Sequence, residues 1–243
     1  MKSLYRKNEL LFSFLCIVLY VLLFSAADMY SQQLGVVKCI TAPFCLIVMA
    51  VLWLWIAKNG VADELGLCAF KGKASRFLYF VPLLVIGSVN LWGGVQMEYS
   101  ALETVLYVLS MLCVGFIEEV IFRGLLFKAL CRESVKRAVV IASLTFGIGH
   151  IVNLLNGAEV VSTLLQLCYA CAVGFLFCVI VLRGGSLVPC ILTHSVINAT
   201  SAFGVSPSRT FEIVVSAILT VFSVAYALWI LKANREVAVK AVE

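Results

Sequence analysis

TVLYVLSMLCVGFIEEVIFRGLLF, residues 104–127, is apolar from end to end except for two glutamates and an arginine close together near its middle. About 20 mostly apolar residues, rising 1.5 Å each, cross the roughly 30 Å of hydrocarbon in a bilayer, so this run is long enough to span one as a helix. A transmembrane strand would be roughly 10 residues of alternating character, about half as long as this unbroken block. Working outward, seven more runs of the same kind lie at 10–27, 39–57, 77–94, 138–155, 160–182, 186–203 and 211–231. The chain of 243 residues is 63% hydrophobic and 13% charged, against roughly 45–50% apolar and about 25% charged in soluble domains. Lipid leaves no backbone polar group unpaired, so the expected fold is all-α, a polytopic membrane bundle of about eight transmembrane helices forming a single domain over 1–243. Little chain remains for a soluble domain.

The charges give that bundle a direction. With the amino terminus in the cytoplasm, only Lys38 and Arg209 fall outside and Arg123 lies in the membrane. Every other Lys and Arg, including Arg235 and Lys240 near the carboxyl terminus, falls on the inner side. That asymmetry is the positive-inside rule, and it predicts both termini in the cytoplasm. The net charge of +5 is therefore topological. Its neighbours are the anionic headgroups of the bilayer rather than nucleic acid.

Several features read as structural. Phe24 to Asp28, FSAAD, mimics a signal-peptide cleavage point behind a basic start, but the apolar run before it is long for a signal and leads into another span, so an uncleaved first helix is expected. Most of the ten cysteines lie within spans, where they act as small apolar residues. CYAC at 168–171 has no second pair and no loop to fold around zinc. Trp53, Trp55, Trp92 and Trp229 sit toward span ends as headgroup anchors. The longest inner loop, 58–76, is expected along the cytoplasmic interface.

The polar residues inside spans are different. Three ionised side chains at helix centres would cost on the order of 8 to 10 kcal/mol if unpaired. Glu119 and Arg123, four apart with the glutamate first, share a face and can pair. Glu118 points about 100° away and has no obvious partner on its own helix. Both histidines of the chain also lie in spans. FGIGH puts Phe146 and His150 on one face, with Gly147 and Gly149 permitting close approach of a neighbour. HSVIN does the same for His194 and Asn198. Counted from the cytoplasmic span ends at 1.5 Å per residue, Glu118, His150, His194 and Asn198 fall about 12 to 18 Å deep, in one layer.

A carboxylate, two imidazoles and an amide suit water-mediated amide hydrolysis. A glutamate in a poorly solvated pocket can serve as general base on water. Histidine can assist, or as neutral imidazole bind zinc. An asparagine amide and an imidazole N–H can donate to a developing oxyanion, worth about 3 to 4 kcal/mol in acyl transfer. Structural ion pairing of the trio and a proton relay for transport are the competing readings of the same residues.

EEVIFR at 118–123, FGIGH at 146–150 and HSVIN at 194–198 resemble the EExxxR, FxxxH and HxxxN motifs of the CPBP family of intramembrane metalloproteases, also called the CAAX protease, bacteriocin-processing or Abi family. The resemblance covers a core at 104–199. It implies that Glu118 activates water, that His150 is the second catalytic residue, and that His194 and Asn198 bind the oxyanion or assist it. Glu119 and Arg123 would be structural, with Phe146 supporting. It also raises a zinc ion held by His150 and His194 with Glu118, although a ligating Glu118 could not freely act as base. The implied activity is endopeptidase cleavage near the cytoplasmic half of the bilayer, on a CAAX-like tail or a bacteriocin-type peptide, in a bacterial plasma membrane. The alternative is a non-catalytic membrane partner, in bacteriocin immunity or as a scaffold for a sensor kinase.

Overall fold

A computed structural model describes residues 2–205 and 208–234; Arg235, Lys240 and the carboxyl terminus, expected on the inner side, lie outside the described residues. Among the described residues the fold is all helical, with no strand beyond one isolated bridge between Val95 and Gly204. The principal helices are α1 (Glu9–Gln33), α2 (Thr41–Asn59), α3 (Val81–Gly87), α4 (Ala101–Glu119), α5 (Val135–Gly149), α6 (Val160–Gly184), α7 (Val188–Thr200) and α8 (Arg209–Ala233). Side chains close most of their first turns. The Asn8 carboxamide accepts from Leu11 N at 2.9 Å, and Ser100 and Glu103 form a reciprocal capping box at α4. Glycines in the left-handed region, Gly60 and Gly185, end α2 and α6.

Seven helical segments are long and apolar enough to cross a membrane, by length and composition. Of the eight expected runs, 186–203 is not among these seven, and 77–94 is represented by Ala74–Leu91, which is interrupted. The run at 77–94 is not one helix. Leu78, Tyr79 and Phe80 all have positive φ, and α3 begins only after them with Pro82 in its first turn. The run at 186–203 yields only the short α7, followed by a 3-10 turn at Ser201–Phe203. Hydropathy counts apolar side chains and is blind to whether the backbone stays helical. The two fragments pack on one another, and polar groups satisfy the broken backbone. Asn90 Nδ2 donates to the Ile197 carbonyl at 2.5 Å, and Gln96 N donates to the Phe203 carbonyl at 2.8 Å. Irregular backbone at this depth is tolerated where protein covers it.

Helices α4 and α6 are the bundle's centre. Helix α6 packs between α5 and α8, and α4 between α2 and α7. The outward faces carry exposed Leu19, Leu22, Ile47, Leu102, Val221 and Leu228, the surface expected against lipid. Two glycines set the spacing at the centre. A Cβ on Gly115 would lie 2.7 Å from Ser195 N, and one on Gly147 would lie 2.9 Å from Cys171 N. Small residues bring backbones this close in membrane bundles. The close approach expected at Gly149 is absent, because a Cβ there would meet nothing within 4 Å.

Two further expectations change. Trp55 is not a headgroup anchor. It is buried, stacked on Phe12 at 5.2 Å and edge-on to Tyr5 at 5.4 Å. The loop at 58–76 does not merely skirt the bundle, because Val61 and Leu65 are buried in the core and the loop's backbone binds the turn after α6. Gly66 O accepts from Leu187 N at 2.8 Å, and Lys71 N donates to Gly184 O at 2.9 Å. Ser186 and Leu187, counted as a membrane end in the depth estimate, are therefore completely buried.

Candidate active site

The site is built around a change of helix type. Helix α4 ends at Glu119, and the chain continues as a π-helix over Val120–Phe127, all eight residues of which are buried. π-helical turns are rare, and they concentrate at functional sites because the extra residue per turn re-aims side chains. Here the change begins directly behind the two glutamates.

Arg123 is completely buried, and its NH1 donates to Glu119 Oε1 at 2.8 Å. Its guanidinium lies 4.0 Å from the Phe146 ring centroid and 5.4 Å from that of Phe177, so two π-faces take up charge that one hydrogen bond leaves over. Glu119 Oε1 also accepts from His194 Nδ1 at 2.8 Å. Glu119 is thus more than the counter-ion of Arg123, because it selects which ring nitrogen of His194 carries the proton. With Nδ1–H committed, His194 Nε2 faces Glu118 Oε2 across 3.5 Å.

The other Glu118 oxygen, Oε1, accepts from the Tyr20 hydroxyl at 2.5 Å. Tyr20 belongs to α1 and was not singled out from the sequence. A tyrosine in an apolar span carries no signal of its own, since such residues commonly serve the membrane interface. His150 follows the last residue of α5 and begins a 3-10 turn, with its Nδ1 3.0 Å from the Phe146 carbonyl. The Phe146 ring meets both imidazoles edge-on, at 5.2 Å to His150 and 5.6 Å to His194.

A cavity of about 450 Å³ brings these groups together. Glu118, His150, His194, Asn198, Phe146 and Tyr20 all line it. Glu119 and Arg123 do not, and sit fully buried behind the wall. Chemically the arrangement offers a carboxylate, two imidazoles and an amide on the wall of one cavity, with a buried ion pair fixing one imidazole. Of the zinc set raised by the sequence, His194 Nε2 and Glu118 Oε2 lie 3.5 Å apart, while the other ring nitrogen and the other carboxylate oxygen are held by neighbours, as second partners hold metal-ligating side chains. His194 Nδ1 is taken by Glu119 and Glu118 Oε1 by Tyr20. Among the described residues, no three His, Cys, Asp or Glu side chains converge to hold a metal ion.

Residues 100–200 match the family model described as Type II CAAX prenyl endopeptidase Rce1-like. No curated protein and no solved structure matches the chain. The matched segment holds Glu118, His150, His194 and Asn198 and omits Tyr20.

Proposed function

We propose, for a chain that residues 100–200 make a member of the CAAX protease family, that it hydrolyses a peptide bond in a membrane-embedded or lipid-modified substrate with water activated by Glu118. The observation that carries this reading is the pairing of Glu118 Oε2 with His194 Nε2 across 3.5 Å on the wall of the cavity. Glu118 takes a proton from water, and the hydroxide oxygen bonds to the scissile carbonyl carbon while the C=O pair moves onto oxygen. The Asn198 amide donates to that oxyanion. When the C=O re-forms, the C–N bond breaks, and the proton held by Glu118 and His194 passes to the departing amine. Carboxylate and amine products result, with no covalent enzyme intermediate.

The hydrogen bonds refine the roles that the family resemblance implies. His194 gives Nδ1–H to Glu119, which supports it as the proton partner of Glu118 rather than as an oxyanion donor. His150, with Nδ1 on a backbone carbonyl, keeps Nε2 for the attacking water. No step here requires a metal ion. Zinc measured on purified protein tests whether Glu118, His150 and His194 rearrange to hold one.

The family's description suggests the probe, an internally quenched peptide ending in a prenylated CAAX sequence. Glu118→Gln is expected to abolish its cleavage while the protein remains inserted and folded. Normal turnover by that variant would overturn the reading. A membrane peptidome compared by mass spectrometry with and without active Glu118 identifies the natural substrate, whether a CAAX-like tail or a bacteriocin-type peptide.

A further inference from the structure

The polar lining of the cavity is gathered at one end of the bundle. Asp28 lies near the end of α1, Tyr107 in the second turn of α4, Asn153 and Asn156 just beyond α5, and Gln166 in the second turn of α6. The bundle's alternating direction brings the finish of α1 and α5 and the start of α4 and α6 to the same side. Glu118 and His194 form the inner limit of this funnel, and amides and hydroxyls form its rim. The rim is nearly neutral. Its one lysine, Lys38, is held by both Asp28 oxygens at 2.8 Å, and the Thr41 hydroxyl donates to Asp28 Oδ1 at 2.6 Å. Asn153 Nδ2 donates to Gln166 Oε1 at 2.9 Å, and the Tyr107 and Ser201 hydroxyls are 3.0 Å apart.

Apart from Lys38, Arg209 and the buried Arg123, the basic residues occupy the other end. Lys58 closes α2, Arg132 follows the end of the α4 segment, Lys136 opens α5, Arg183 closes α6, and Lys71 and Lys73 lie in the loop bound to the α6 turn. Short loops rich in Lys and Arg stay in the cytoplasm. The funnel and the basic loops are therefore on opposite faces of the membrane.

We propose that water and substrate reach Glu118 from the non-cytoplasmic face, and that the funnel admits an extended, uncharged stretch of polypeptide whose backbone pairs with the rim amides. The route departs from the expectation of cleavage near the cytoplasmic half. The hydrolysis itself rests on the function proposed above, but the direction of the funnel does not.

The test uses the full chain in cells and a membrane-impermeant maleimide, reading labelling above that of the wild-type cysteines. Ala158→Cys sits in the exposed loop beside the funnel, and Ser75→Cys sits exposed in the basic loop. Ala158→Cys is expected to label in intact cells, and Ser75→Cys only after permeabilisation. The reverse pattern would overturn the proposal whether or not the protein cleaves anything. Asn156→Cys at the rim tests the route. Modified from outside, it is expected to lose at least tenfold in cleavage of the quenched peptide supplied outside, and unchanged cleavage would show that the substrate enters elsewhere. If Glu118→Gln retains cleavage, the catalytic reading fails while the labelling result still stands.

Discussion

At the residue scale the site depends on hydrogen bonds that fix orientation. Tyr20→Phe keeps the ring, which packs on Phe24 at 4.4 Å, and removes only the hydroxyl bound to Glu118. A hydrogen bond to a charged acceptor is worth about 1.5 to 3 kcal/mol. If the bond holds Glu118 in its productive rotamer, kcat is expected to fall about tenfold or more with KM unchanged, as steady-state kinetics on the quenched peptide would show. A KM effect alone would mean that Tyr20 touches substrate instead. Arg123→Met strands the buried Glu119 carboxylate, a change that costs about 3 to 5 kcal/mol for buried pairs, and is expected to lower the thermal midpoint markedly. Arg123→Lys keeps the charge but not the flat face between Phe146 and Phe177. It should also lose stability. Glu118, Glu119, Arg123, His150, His194 and Asn198 were legible in the sequence because ionisable or amide groups stand out in apolar runs. Tyr20 was not, because nothing local separates it from an interfacial tyrosine. The second bond of Glu119, to His194, was also hidden, since it joins positions 75 apart in the chain.

At the element scale, what positions the candidate site residues is how closely the helices approach. Helices α4 and α7 touch where Gly115 meets the Ser195 backbone, beside His194 in sequence. Gly115→Ala would set a Cβ 2.7 Å from Ser195 N and 2.8 Å from Ser195 Cα, neither of which can swing aside. Overpacking of this kind costs about 1 to 3 kcal/mol. It would also move His194 relative to Glu118, so the thermal midpoint and kcat should fall together. Gly149→Ala is the matched control. Gly149 is helical, with φ −53°, and its Cβ would face open space. Exchanging glycine for alanine there should hold or raise the thermal midpoint, by about 0.5 to 1 kcal/mol at most. The sequence offered Gly147 and Gly149 as equals, and only the partner helix distinguishes them, since a Cβ on Gly147 would lie 2.9 Å from Cys171 N. The helical spans themselves were legible from apolar run length. The break before α3, the shortness of α7 and the π-helical segment were not, since each depends on which backbone groups find partners elsewhere in the bundle.

At the scale of the whole molecule, the basic end shows which interactions hold the bundle together. Arg132 reaches from the end of the α4 segment to Glu9 at 2.7 Å and Glu64 at 3.2 Å, tying α1 and the 62–65 turn together. The Arg132 side chain is more than half exposed, and exposed ion pairs are worth about 0 to 1 kcal/mol and are screened by salt. Directly beneath, Tyr5, Phe12 and Trp55 form a buried aromatic cluster, and the Tyr5 hydroxyl donates to Glu64 at 3.0 Å. Burial, with the Glu64 carboxylate beside it, pushes the Tyr5 phenol above its ordinary pKa. The two layers cover the same junction but should contribute unequally. Arg132→Gln is expected to shift the thermal midpoint slightly, and the shift should vanish in high salt. Trp55→Ala removes a large buried ring, a loss of about 3 to 5 kcal/mol that salt does not relieve. Equal effects would place the stability of this end in its charges. The unequal result would mean that the basic loops serve orientation in the membrane, and that aromatic packing beneath them holds α1, and with it Tyr20, against the π-helical segment that follows α4.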